Sequence, residues 1–262
     1  MVPTATHPYF LDEEALQRVA QHARADYASA DPFPHCVLED LLPAEEVARV
    51  LAEFPAPGDP VWSRYEHKHS VKLALSDDTK MGPDTRHMIG LLNSAPFLRF
   101  LETLTGIEGL VPDPYLEGGG YHRIERGGRL EIHADFNRHE RLKLDRRLNL
   151  LLFLNRDWDE SFGGQLELWS RDMQRCVKSV LPVFNRIVIF STTDDAYHGH
   201  PHPLTCPEDR ARLSLALYYY SAGRPEHEVS DKHSTLYQRR PGAPHPKGGL
   251  LRRVGRALRG KG

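Results

Sequence analysis

The chain has little sulfur and no long apolar run. Cys36, Cys176 and Cys206 are its only cysteines, and none forms a CxxC pair. An odd, scattered set argues against a disulfide framework or a closed zinc site and predicts reduced thiols. No stretch approaches the roughly 18 apolar residues that a membrane-spanning helix needs. The start, MVPTATHPYF, lacks a basic segment followed by an apolar one, so no secretion signal is expected and the predicted location is cytoplasmic. Lys and Arg together number 34 against 36 Asp and Glu, a formal charge of −2, so no global positive field calls for nucleic acid. There is no GxxxxGK[ST] phosphate loop beside Gly118–Gly120, no local signature of a Ser-His-Asp triad, and no repeat of 20–50 residues.

What stands out instead is histidine, 15 of 262 residues. The apolar fraction of 40% and charged fraction of 27% are ordinary for a globular protein. The first hundred residues read as mostly helical. Asp12 caps a segment with Leu16, Val19, Ala20 and Ala23 on one face. Pro43 opens a second, with Val47, Val50, Leu51 and Phe54 inward. Ser94 caps a third, closed by Gly106. After Pro114 the pattern changes to short runs between Gly, Pro and Asp turns: "GGGYHRIERGGRLEIHADF", "RRLNLLLFLN", "GGQLELW", "NRIVIFS" and "RLSLALYYY". Five or more such strands predict a β-sandwich or barrel. The tail is Pro- and Gly-rich, then basic. Leu250, Leu251, Val254, Ala257 and Leu258 fall opposite Arg252, Arg253, Arg256 and Arg259. That is either an amphipathic helix for an acidic partner or membrane surface, or a frayed terminus.

In "IHAD", His133 and Asp135 stand two apart on a predicted strand and so point to one side. With a third imidazole from the cluster His198, His200 and His202 they would form two histidines and one carboxylate on one face of a metal, which suits non-haem Fe(II). Arg212 opens the apolar run "RLSLALYYY" and shares a face with Ser214, Ala216 and Tyr218. A guanidinium there needs an anion, either a bound carboxylate or a structural ion-pair partner. His67 and His69 in "EHKHS" lack a nearby carboxylate and read as surface or substrate-side groups.

The ordered motifs "GGRLEIHADF", "LFLNRDWDESFGGQLELW", "FNRIVIFSTTDDAYHG" and "RLSLALYYY" resemble those of the Fe(II)/2-oxoglutarate-dependent dioxygenases, most of all the prolyl 4-hydroxylase-like branch. "FPHCVLEDLLPAEEVARVLAEFP" is similar to the helical lead-in of bacterial members. The resemblance implies a double-stranded β-helix (jelly-roll) core over residues 111–222, a helical region over 1–110 packed on it, and a C-terminal extension over 223–262. It implies Fe(II) on His133, Asp135 and His198, and 2-oxoglutarate on Arg212 with Ser214. O2 is the second co-substrate, and the implied reaction is hydroxylation of an unactivated C–H bond with release of succinate and CO2. Asp135 fits hydroxylation rather than halogenation, for which related enzymes place a small residue at the carboxylate position. Prolyl hydroxylases of this type often have tyrosine where this chain has Phe153, so Asn149 or Tyr121 is expected to replace the missing hydroxyl. His122 is expected on the cavity side or as a strand-end residue. His200 and His202, after Gly199 and Pro201, are expected at the site mouth or in a loop, with Tyr218 on the substrate side. The expected substrate is a prolyl residue, a free amino acid, a sugar or a natural product. A cupin-like metalloenzyme without 2-oxoglutarate and a non-catalytic binding protein on the same scaffold are the alternatives.

Overall fold

In a computed structural model the described residues are 9–242; the basic amphipathic segment after Gly249 lies outside them. Four α-helices are described: α1 (Glu13–Ser29), α2 (Ala44–Ala52), α3 (Pro83–Leu92) and α4 (Ala95–Thr105). Asp12 caps α1 by accepting a hydrogen bond from the Ala15 amide at 3.0 Å. Gly106 ends α4 at φ +73°, the left-handed position where glycine carries no Cβ penalty.

The strands are β1 (His35–Glu39), β2 (Ser63–His67), β3 (Ser70–Leu75), β4 (Val111–Pro112), β5 (Gly120–Glu125), β6 (Arg129–Ala134), β7 (Asp145–Phe153), β8 (Leu166–Trp169), β9 (Cys176–Val180), β10 (Arg186–Ser191), β11 (His198–His200), β12 (Ala211–Ser221) and β13 (Leu236–Tyr237). They pair antiparallel in the order β1-β10-β7-β12-β5-β3-β6-β11-β8-β9, with β2, β4 and β13 on β3, β12 and β6. The sheet curls into a nearly closed jelly roll.

The expectation of a mostly helical first hundred residues needs correcting. That region also supplies β1, β2 and β3, and β3 sits inside the barrel wall between β5 and β6.

Two-sided burial explains the near-continuous apolar runs of β7, β10 and β12. One face, Leu148, Leu150, Leu152, Ile187, Ile189, Leu215, Leu217 and Tyr219, packs on Phe97, Phe100, Leu101 and Leu104 of α4 and the other helices. The opposite face looks into the barrel. There Phe153, Val188 and Phe190 meet Leu166 and Leu168. The remaining inward positions, most of them polar, line a cavity of about 280 Å³. The helices therefore stiffen the wall from outside while the inside is left for chemistry.

A candidate metal and co-substrate site

His133 is the penultimate residue of β6, Asp135 follows it by two, and His198 opens β11, directly opposite His133 in the ladder. One ligand atom from each lies within 4.8 Å of the others. Gly199 permits this approach. A Cβ on it would stand 2.8 Å from the Leu130 carbonyl oxygen and 2.9 Å from that of Glu131, so only glycine lets β11 lie so close to β6.

The imidazoles are held in the ligating tautomer. His133 Nδ1–H donates to the Glu131 carbonyl at 2.8 Å, and His198 Nδ1–H to that of Ala196 at 2.9 Å. Each Nε2 lone pair is thereby free, and these atoms stand 3.4 and 3.5 Å from the Asp135 carboxylate. Burial pushes His198 down to about 4, so it is neutral, as a ligand must be. Burial would raise Asp135, but the Arg146 charge beside it outweighs this and holds the carboxyl well below its usual range. Two neutral nitrogens and one carboxylate are a donor set that suits a divalent metal such as Fe(II).

Arg146 and Asn149, on β7, brace this carboxylate. Asn149 Nδ2 donates to Asp135 Oδ2 at 2.7 Å, and Arg146 reaches the same oxygen at 3.0 Å. Arg146 also donates to Asn149 Oδ1 through Nε and Nη2, and its guanidinium lies 3.5 Å from the Tyr218 ring centroid. Asn149, expected on 2-oxoglutarate, is instead committed to Asp135 and Arg146. The reason is register: Asn149 faces the barrel where Asp135 enters it.

Arg212 is 4% exposed and lines the cavity with Ser214, its neighbour on the same strand face. Its Nε donates to the Gly164 carbonyl at 2.7 Å, and the guanidinium lies 4.8 Å from the Phe153 ring centroid. Gly164, at φ +77°, leaves the room: a Cβ there would meet Arg212 Cδ at 2.9 Å. No described carboxylate pairs with Arg212, and burial alone lowers it to about 9. A buried cation without an anion is costly, so this end of the cavity is built to receive one.

Tyr121 is a second correction. It faces away from the cavity, fully buried, with its hydroxyl on Thr85 Oγ1 and the Val50 carbonyl and its ring 4.1 Å from that of Phe54. Side chains alternate along β5, so His122, not Tyr121, looks inward. His122 Nε2 pairs with the Gly118 carbonyl at 3.1 Å, and the Tyr218 hydroxyl donates to the same oxygen at 2.9 Å. His200 is not a loop residue. It is the last residue of β11, 4% exposed, lining the cavity with Nδ1 unpartnered. His202 is beyond the strand and 67% exposed at its side chain.

Sequence reading missed Arg146 and Tyr237, both on the cavity wall, and named Lys72 only as a stand-in for Arg212. Arg146 and Lys72 carry the signal that singled out Arg212, a cation inside an apolar strand. Tyr237 carries none; β13 brings it beside His133, ring centroids 5.7 Å apart.

Residues 119–220 match the family model described as the 2OG-Fe(II) oxygenase superfamily. Outside them the likeness continues: the mouse prolyl 3-hydroxylase OGFOD1 is 26% identical over 197 residues, 72% of this chain and 33% of that protein. The chain thus spans a third of that relative's length. A Pseudomonas putida prolyl-4-hydroxylase superposes with TM-score 0.56 and 18% identity over 78% of this chain and 99% of its own. A Trichoplax adhaerens prolyl hydroxylase, solved with a hypoxia inducible factor peptide fragment, gives 0.56 and 16% over 79% and 91%. These likenesses show the double-stranded β-helix fold. Among the described residues no helix is long and apolar enough to cross a membrane.

Proposed function

We propose that the protein is an Fe(II)- and 2-oxoglutarate-dependent oxygenase that hydroxylates an unactivated C–H bond of a prolyl or related substrate. The observation that carries this reading is Arg212: a buried guanidinium without a described counter-anion, in the same cavity as a three-ligand cluster. A metalloenzyme that did not use a dicarboxylate would have no need to keep that charge desolvated.

In this reading His133, Asp135 and His198 hold Fe(II), and Arg212 with Ser214 holds the distal carboxylate of 2-oxoglutarate. Fe(II), when bound there, would supply the oxidising power for a reaction in which 2-oxoglutarate and O2 give succinate, CO2 and the hydroxylated substrate. The chain's own work is positional. Two backbone carbonyls fix the imidazole tautomers, Asn149 and Arg146 fix the carboxylate, and Arg212 fixes the length and direction of the co-substrate. The apolar wall of Leu151, Leu166 and Phe153 keeps water from that charge pair, which strengthens it. Prolyl peptide chemistry is the preferred substrate class because the curated relative is named a prolyl 3-hydroxylase. The test is succinate formation by the purified protein with Fe(II), 2-oxoglutarate and O2, stimulated by prolyl peptides. Absence of any 2-oxoglutarate consumption removes this function.

A further inference from the structure

The cavity contains a cation that the reaction above leaves unused. Lys72 stands on β3, whose inward face also carries Ser70, and both line the cavity. Its ammonium has no described carboxylate or carbonyl partner. The nearest ring is that of Tyr65 on β2, 5.5 Å away. Burial drives Lys72 down to about 8 against the opposing pull of Asp135, so it is still charged at neutral pH.

The function proposed above, on which this count rests, would set four positive charges (the 2+ metal, Arg212 and Arg146) against three negative ones (Asp135 and the two carboxylates of 2-oxoglutarate), so the site is already positive before Lys72 is added. Arg146 is nevertheless held by Asp135, Asn149 and the Tyr218 ring. Among the described cations of the cavity, only Lys72 has neither an anion nor a hydrogen-bond acceptor. An ammonium on a flexible stem is a compact point charge that matches one carboxylate rather than a bidentate phosphate. Tyr65, His67 and Tyr237 line the cavity mouth beside it, where an arriving substrate must pass.

We propose that Lys72 receives a carboxylate carried by the prime substrate. It is either an acidic side chain next to the target residue of a peptide or the free α-carboxylate of an amino acid. The protein thereby selects an anionic substrate, and the selecting residue comes from the β2–β3 hairpin rather than from β6 and β11, which carry the proposed metal histidines.

The experiment uses the full chain loaded under argon with Mn(II) and saturating 2-oxoglutarate, which cannot turn over. Calorimetry at pH 7 compares acetyl-Pro-Glu-amide with acetyl-Pro-Gln-amide, acetyl-Glu-Pro-amide with acetyl-Gln-Pro-amide, and L-proline with L-prolinamide. The acid member of at least one pair is expected to bind tenfold or more tighter than its amide. The peptide pairs and the proline pair distinguish the two sources. Lys72→Met should abolish that preference, Lys72→Arg should keep much of it, and the 2-oxoglutarate dissociation constant of Lys72→Met should stay within twofold of wild type. No acid preference in any pair, or a preference that survives Lys72→Met, overturns the inference. So does a tenfold loss of 2-oxoglutarate affinity in Lys72→Met, which would assign the lysine to the co-substrate. If wild type itself binds no 2-oxoglutarate, the proposed function fails first, and this inference with it.

Discussion

The Asn149 carboxamide donates a 2.7 Å hydrogen bond to Oδ2 of Asp135, while its own oxygen accepts two from Arg146. Asn149 thus ties the carboxylate proposed to hold the metal to a fully buried guanidinium. Such outer partners orient ligands, and losing one typically costs 10–100-fold in metal affinity. Asn149→Ala should weaken Mn(II) binding by about that factor, measured by calorimetry on the apo protein. Unchanged metal affinity in a folded variant would show that Arg146 alone fixes Asp135.

The histidine cluster separates by strand position. His198 is across the ladder from His133, whereas His200 looks toward Arg212 at the other end of the cavity. His198→Ala should lose Fe(II) after anaerobic loading. His200→Ala should keep full iron content and, at most, bind 2-oxoglutarate less tightly. Iron loss from the His200 variant with retention in the His198 variant would contradict the ligand assignment.

Tyr121 gives a prediction of the opposite kind. Its hydroxyl bonds to Thr85 and the Val50 carbonyl on the helix side of the wall. Tyr121→Phe should leave 2-oxoglutarate affinity unchanged and lower stability by about 1 kcal/mol, a typical net value for a buried hydrogen bond. Chemical denaturation and calorimetry on the same variant separate the two effects. A raised 2-oxoglutarate dissociation constant at unchanged stability would contradict the assignment.

The strands and the metal cluster were legible in sequence because they depend on local pattern. "IHAD" puts two candidate ligands two residues apart at the end of β6, and β7, β10 and β12 read as apolar runs between turns. What sequence did not show depends on partners far away in the chain. Whether Tyr121 or His122 faces inward depends on which face of β5 meets α2, and whether His200 still belongs to a strand depends on the pairing of β11 with β6 across Gly199. The place of Lys72 on the cavity wall was hidden for the same reason. Its strand joins the barrel only through β5 and β6, about fifty residues on.

Acid should destabilise the metal-free protein. Burial lowers His35, His198 and His200 in the fold, so the unfolded chain takes up protons that the native state refuses. A depressed histidine pKa therefore removes stability as pH falls below the unfolded value near 6.5, and the loss continues to about 4 for His198. That residue alone corresponds to a loss on the order of 3 kcal/mol across the window. Asp135, held low, adds a loss in the same direction at still lower pH. The denaturant midpoint of apo protein should fall between pH 7.5 and pH 5; a flat or rising midpoint would contradict the burial of these imidazoles as neutral groups.

The central claim is that one cavity binds Fe(II) through His133, Asp135 and His198 and 2-oxoglutarate through Arg212. Its most direct test is anaerobic visible absorption of the Fe(II)-loaded protein titrated with 2-oxoglutarate. The account predicts a weak charge-transfer band that needs both components, is absent in His198→Ala, and in Arg212→Met appears only at 2-oxoglutarate concentrations at least tenfold higher. No band in wild type, or an identical titration in Arg212→Met, would contradict it.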